Sequence, residues 1–159
     1  MNTESMDRVW TPHVTVAAVA EREGRFLLVE EVRDGVRVIN QPAGHLEEGE
    51  SIEQATIRET LEESGWHFTA KGITGIYRGR NSAGITHLRF ALYGEATHHE
   101  PERRLDEGII GPLWLSRDEL AANPRRLRSP MVLRTVDDYL AGQRHPLSLL
   151  TDLGDAPRD

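Results

Sequence analysis

The sequence predicts an α/β domain of the α+β kind, with a strand-rich body flanked by two helices. Three observations carry that prediction. Runs of β-branched and apolar residues of strand length recur between turn signals, two segments have the start and stop residues of helices, and 159 residues with 38% hydrophobic content fit a single core.

Taken in order, His13 to Val19 (HVTVAAV) reads as a buried strand, rich in β-branched residues and too short for a helix. Glu23–Gly24 reads as a turn, and Arg25 to Val29 as the next strand. Asp34–Gly35 between Val32 and Val36 is a hairpin signal, because tight hairpin turns need positive φ. Ser51 followed by Gln54 fits a capping box, in which each side chain accepts the other residue's backbone N–H, and Gly65 is placed to end that helix in the left-handed conformation. A helix is therefore expected over about 52–64. Ile52 and Ala55 lie one turn apart while Ile57 and Leu61 point elsewhere, so apolar contacts are expected on two sides of it. Strand chemistry returns at Ile73 to Tyr77 and, across Asn81 to Gly84, at His87 to Tyr93. Pro130 at a first turn and Gly142 just past the end bound a second helix over about 130–140. Trp10, Trp66 and Trp114 fall at core or element-edge positions. With no repeat, low-complexity tract or linker, the expected organisation is an N-terminal extension (1–11), one domain (12–150) and a loosely held tail (151–159).

Charge narrows the function. A net charge of −7 argues against a general nucleic-acid binder, which needs a concentrated basic surface. The absence of cysteine removes disulfides and thiolate metal sites. No apolar run is long enough to span a membrane, and MNTESMDRVWTP lacks the apolar core of a secretory signal, so a soluble, cytoplasmic protein is expected.

The acidity is local. Residues 44–66, GHLEEGESIEQATIRETLEESGW, hold seven glutamates and one arginine, Arg58. At about 100° per residue, Glu59, Glu62 and Glu63 share an arc of roughly 100° on the helix. An ordinary solvated acidic face would intersperse lysine and arginine, and Glu59 and Glu63, one turn apart, repel each other by a few tenths of a kcal/mol in an isolated helix. An oxygen-preferring divalent cation removes that penalty, and Mg²⁺ commonly binds carboxylates where substrate phosphates complete its shell. On spacing alone, a cation site and a solvated face both stay open.

Gly44, Glu50 after five intervening residues, Arg58–Glu59 after seven more, then Glu62–Glu63 and Gly65 resemble the Nudix box, G-x5-E-x7-R-E-U-x-E-E-x-G-U, where U is a bulky apolar residue. Every required glycine, glutamate and arginine is present. Thr60 and Trp66 depart at the first and last U, which bears on helix packing rather than on chemistry. PHVTVAAV, FLLVEE, NQPAGHLE, LRF at Leu88 to Phe90, and LRSP with Tyr139, Gly142, Arg144, Pro146 and Leu147 extend the likeness over most of residues 12–150, towards the NudJ-type phosphatases of that family.

The resemblance implies an α/β/α sandwich around a central mixed sheet and a phosphoanhydride hydrolase. It implies Mg²⁺, with Mn²⁺ as a substitute, on Glu59, Glu62, Glu63 and the Gly44 carbonyl, while Arg58 with Glu50, Gly49 and Gly65 supports the loop–helix–loop. Either Glu59 or Glu107 would accept a proton from the attacking water, and Asp106 competes with Glu107 for the loop position. Against this, Asp106–Glu107 also reads as an ordinary polar loop. Gln41, His45, Arg89, Arg128 and Ser129 are candidate substrate contacts, although Arg89 alternates with Leu88 and Phe90 as a solvent-facing residue would, Arg128 with Arg125 and Arg126 reads equally as a solvated loop, and His45 as a hydrogen-bonding support. The implied substrates are small pyrophosphates, among them hydroxymethylpyrimidine and thiamine pyrophosphates, and nucleoside tri- and diphosphates, with phosphate released. The implied assembly is a monomer, a dimer staying open. A broad nucleoside triphosphate pyrophosphohydrolase, a catalytically silent Nudix ligand sensor and an acidic interaction module are the alternatives; intact box glutamates weigh against the sensor.

Overall fold

The computed structural model describes residues 8–158, so the expected N-terminal extension lies outside the described residues over 1–7. Eight strands and three α-helices follow one another: β1 (His13–Arg22), β2 (Arg25–Arg33), β3 (Val36–Asn40), β4 (Ala43–His45), α1 (Ile52–Ser64), β5 (Trp66–Arg80), β6 (Thr86–His99), β7 (Ile109–Ser116), α2 (Arg117–Ala122), α3 (Pro130–Leu140) and β8 (His145–Pro146). The β1–β2 and β2–β3 turns both use two consecutive positive-φ residues, Glu23–Gly24 and Asp34–Gly35, whose twist matches that of the strands they join.

The sheet is mixed. β1 runs parallel to β6 from His13↔His87 to Ala20↔Gly94 and antiparallel to β4 from Thr15↔His45 to Ala17↔Ala43. Its end turns over to β2 at Glu21↔Phe26, and β2 carries β3 and β7 on its two edges. On the far side β6 pairs with the long β5, whose register shifts three times, and β5 carries β8.

Side chains alternate between two cores, as strand pleating requires. Ala18, Ala20, Leu27, Phe68, Ile73 and Leu92 pack on one face with Ile52 and Ile57 of α1. Val19, Phe26, Leu28 and Ala91 pack on the other with Leu120 of α2 and Val132 and Val136 of α3. Helices therefore cover both faces, which is the α/β/α sandwich that the resemblance implied. Trp66 stacks on His99 at 4.7 Å and meets Trp114 edge-on at 5.5 Å, with the Arg22 guanidinium over both indoles, whereas Trp10 is exposed just ahead of β1. Residues 151–158 form no regular element and are exposed.

Leu92 is fully buried on the central strand β6. Leu92→Ala is expected to lower the unfolding free energy by about 3 kcal/mol, through lost transfer energy and a residual cavity. Urea denaturation checks it, with an unchanged m-value showing that both end states are preserved.

Candidate active site

The site is built on β4, α1 and the loop ahead of β7. Helix α1 begins at Ser51, whose Oγ accepts from the Gln54 N–H at 3.1 Å while Gln54 Oε1 accepts from the Ser51 N–H at 2.9 Å. It ends at Gly65, with φ 73°. Its buried residues are Ala55, Thr56, Glu59, Thr60, Glu63 and Ser64, mostly small or polar rather than bulky. Thr56, Thr60 and Ser64 each donate to the carbonyl four residues back, so their hydroxyls are satisfied without a partner in the sheet. Thr60 at a bulky apolar position of the box thus fits: it is wholly buried and lets the helix approach closely.

Arg58 organises the acidic residues. Its Nε donates to Glu50 Oε2 at 3.0 Å and its Nη2 to Glu50 Oε1 at 2.6 Å, a bidentate pair. Nη1 donates to Glu59 at 2.8 Å and Glu62 at 3.1 Å, and Nη2 also reaches the His45 carbonyl at 3.0 Å. The Glu50 hydrogen bond raises the Arg58 pKa, and the same bond holds Glu50 below its ordinary value.

The carboxylates differ in setting. Oxygens of Glu59, Glu62 and Asp106 all lie within 4.8 Å of one another. These are three hard oxygen donors with no nitrogen or sulfur among them, a set that fits a divalent cation of the Mg²⁺ type. Gly44 lies against them: a Cβ there would overlap the Glu59 carboxyl group. Glu63 sits behind, one oxygen accepting from the Ala43 N–H at 2.8 Å. Burial, with Glu59, Glu31 and Asp106 nearby, pushes its pKa up to about 8 despite that bond. Burial also raises Glu59, partly offset by Arg58.

Asp106, rather than Glu107, joins the group. The Asp106 N–H donates to the Glu62 carbonyl at 3.0 Å and its carbonyl accepts from Ile109 at 3.1 Å, so the loop is pinned to α1 at that residue. Glu107 lines the adjoining cavity of about 450 Å³, together with Glu31, Glu63 and Asp106. Glu31, which sequence reasoning missed, is a buried carboxylate paired with Arg128 at 3.0 Å and Arg33 at 3.6 Å. Its only sequence signal is a charge inside an apolar strand.

A second cavity of about 550 Å³ adjoins the first, sharing Arg33, Ala43, Gly44 and His45 with it. His45, Arg89, Arg128 and Ser129 line it. Arg89 is buried rather than solvent-facing, donates to Asn40 Oδ1 at 2.9 Å, and has its pKa pushed down to about 10, chiefly by desolvation. Ser129 caps α3, accepting from the Met131 N–H at 3.2 Å. Gln41 lines neither cavity: it is buried under α3, where its Nε2 donates to the Val132 carbonyl at 2.8 Å. Arg78 and Arg80, also on the wall, escaped the sequence reading, although their period-2 spacing on β5 puts both on one face. His13 Nδ1 and His45 Nε2 approach to 3.2 Å at the rim, with His87 beside them. Burial lowers the pKa of both His45 and His87.

Residues 10–135 match the NUDIX domain. The chain belongs to the Nudix family. Phosphatase NudJ of Escherichia coli K12 is 36% identical over 144 residues, covering 91% of this chain and 94% of its own length. A NUDIX hydrolase from Nitrosomonas europaea superposes with a TM-score of 0.88 at 47% identity, over 89% of this chain and 97% of that one. The MutT NUDIX hydrolase of Burkholderia pseudomallei, at a TM-score of 0.69 and 21% identity over 81% of this chain and 98% of its own, shares the fold. Membership in the Nudix family, with this relationship to a phosphatase, makes the chain a hydrolase of phosphorus-containing anhydrides. Among the described residues, no helix is long and apolar enough to cross a membrane.

Two outcomes follow from this geometry. Glu63 has a folded-state pKa, about 8, above the ordinary 4.5, so its protonated form favours folding; that contribution is full below pH 4.5 and is lost as pH rises through 8. In chelator, Tm is expected to fall over this window and Glu63→Gln to flatten the fall, by about 2–4 °C per kcal/mol relieved, measured by thermal melts across pH. Gly44→Ala is expected to displace Glu59 and weaken divalent-cation binding about tenfold or more with the fold retained, measured by calorimetry alongside circular dichroism.

Proposed function

We propose that this Nudix hydrolase is a Mg²⁺-dependent phosphohydrolase of small diphosphate compounds, Mn²⁺ substituting for Mg²⁺. The observation that carries the reading is the Glu59–Glu62–Asp106 group, two of whose members, Glu59 and Asp106, line a cavity that adjoins a basic one. A bound cation there would shield phosphate oxygens and polarise the phosphorus centre towards attack. Glu59, Glu62, Asp106 and the Gly44 carbonyl would hold it, with Glu63 behind them supporting Ala43 and the β4 end.

The protein's own groups supply the rest. Arg58 fixes Glu59 and Glu62 in orientation, so little rearrangement is needed when charge develops. Of the two candidate proton acceptors, Glu59 is engaged by Arg58 and by the carboxylate group, whereas Glu107 lines the cavity with no side-chain hydrogen bond among the described residues. We therefore assign to Glu107 the proton released by the attacking water. Arg128, paired with Glu31 of the first cavity, would stabilise charge on the departing side of the diphosphate.

The likeness to a phosphatase supports release of phosphate from terminal diphosphates and triphosphates, with hydroxymethylpyrimidine and thiamine diphosphates and nucleotides as the substrates to examine. Hydrolysis is expected to require Mg²⁺ or Mn²⁺. Glu62→Gln is expected to raise the Mg²⁺ concentration needed for half-maximal rate, and Glu107→Gln to lower kcat by about 10²–10³ with that concentration unchanged. Phosphate and pyrophosphate release across these substrates, with and without Mg²⁺, measures both. No release from any of them would overturn the reading in favour of an acidic interaction module.

A further inference from the structure

The second cavity has a one-sided wall. Five arginines line it, Arg33, Arg78, Arg80, Arg89 and Arg128, and no aspartate or glutamate does. Arg33 and Arg128 share Glu31. Arg78, Arg80 and Arg89 have no carboxylate partner among the described residues: Arg80 donates to the Gly84 carbonyl at 3.3 Å and Arg89 to Asn40, both uncharged acceptors. Arg78 and Arg80 are exposed to solvent, whereas Arg89 is buried, where guanidinium charge without a counter-ion is costly, and still holds its proton at neutral pH.

The wall also lacks phenylalanine, tyrosine and tryptophan; its bulkier apolar side chains are Pro130 and Met131. The rings available there to meet a purine, a pyrimidine or a thiazolium are the imidazoles of His45 and His87. A scissile diphosphate finds its counter-charge in the first cavity, through the cation that the carboxylates hold. The unpaired guanidiniums line the adjoining cavity, which is open to the organic part of the substrate. Planar, bidentate guanidiniums match phosphoryl oxygens better than any other common anion except carboxylate.

We infer that the second cavity selects diphosphates whose organic part carries a further phosphoryl group, remote from the scissile linkage, with Arg78, Arg80 and Arg89 as its counter-charge. This rests on the phosphohydrolase reading and narrows its substrate class. It also orders the substrates of that reading by charge: a thiamine diphosphate, whose organic part is cationic, comes last, since its thiazolium ring would face three unpaired guanidiniums.

The test uses the Mg²⁺-loaded full chain and four probes: adenosine 5′-diphosphate, adenosine 3′-phosphate 5′-diphosphate, adenosine triphosphate and thiamine diphosphate. The first two differ by one remote phosphoryl group. The 3′-phosphorylated compound is expected to exceed adenosine 5′-diphosphate about tenfold or more in kcat/KM, mainly through KM, with thiamine diphosphate below both. Adenosine triphosphate, whose extra phosphoryl is contiguous, separates a lengthened phosphate chain from a remote group. Exchanging Arg78 and Arg80 together for glutamine is expected to collapse the preference to within about twofold, and the lysine pair to restore part of it. Equal kcat/KM for the two adenosine diphosphates, or a gain confined to the triphosphate, would overturn the inference while leaving the phosphohydrolase reading intact. A preference that survives the glutamine exchange would overturn the role of these arginines. No hydrolysis of any probe would sink both readings.

Discussion

One guanidinium holds the acidic half of this molecule together. Arg58 binds Glu50 through two nitrogens, Glu59 and Glu62 through a third contact point, and the His45 carbonyl at the end of β4. Without it, Glu59 and Glu62 would repel each other across one helical turn while Glu50 pulled the preceding loop towards water. With it, loop, helix and strand share a single charged fork, whose geometry a lysine would not reproduce. What remains is the burial of Glu63, with Glu59, Glu31 and Asp106 nearby, which a proton relieves.

The second organising fact is the closeness of opposite fields. Glu59, Glu63, Asp106 and Glu107 line one cavity, arginines line the next, and the two share the short segment Ala43 to His45. Glu31 is the hinge of that arrangement: it lines the acidic cavity while pairing with Arg33 and Arg128 of the basic one. The border is maintained by ion pairs between the buried Glu31 carboxylate and two exposed arginines, and losing both arginines would leave that carboxylate buried without a counter-ion.

Much of this was legible in the sequence, for physical reasons that vary by element. Ser51, Gln54 and Gly65 bounded α1 to the residue because capping chemistry is local. The same holds for the hairpin turn at Asp34–Gly35 and for α3. β7 was missed because Gly111–Pro112 interrupts it; as an edge strand paired with β2 alone, it tolerates a residue with no N–H to give. α2 was missed although Ser116 and Glu119 form a capping box as good as that of α1. Glu59, Glu62 and Glu63 were visible at helical spacing, but the approach of Asp106 to Glu59 and Glu62 depends on a backbone hydrogen bond to Glu62 that no spacing encodes. The burial of Arg89 was likewise unreadable, since alternation with Leu88 and Phe90 does not say which face of the sheet is covered.

The parallel register of β1 and β6 has a consequence for how the chain becomes active. His13 pairs with His87, and everything between, including β4 and α1, must be in place around that closure. Such a long-range pairing is entropically costly, because closing the intervening loop precedes any reward from the contact. β6 supplies Arg89 to the basic wall, and β1 backs the β4 strand that carries Gly44. A chain that has formed only its local hairpins and α1 would therefore hold glutamates on a helix without the strand, the glycine backbone or the arginines that face them. The two cavities thus depend on one non-local pairing, and neither is complete without it.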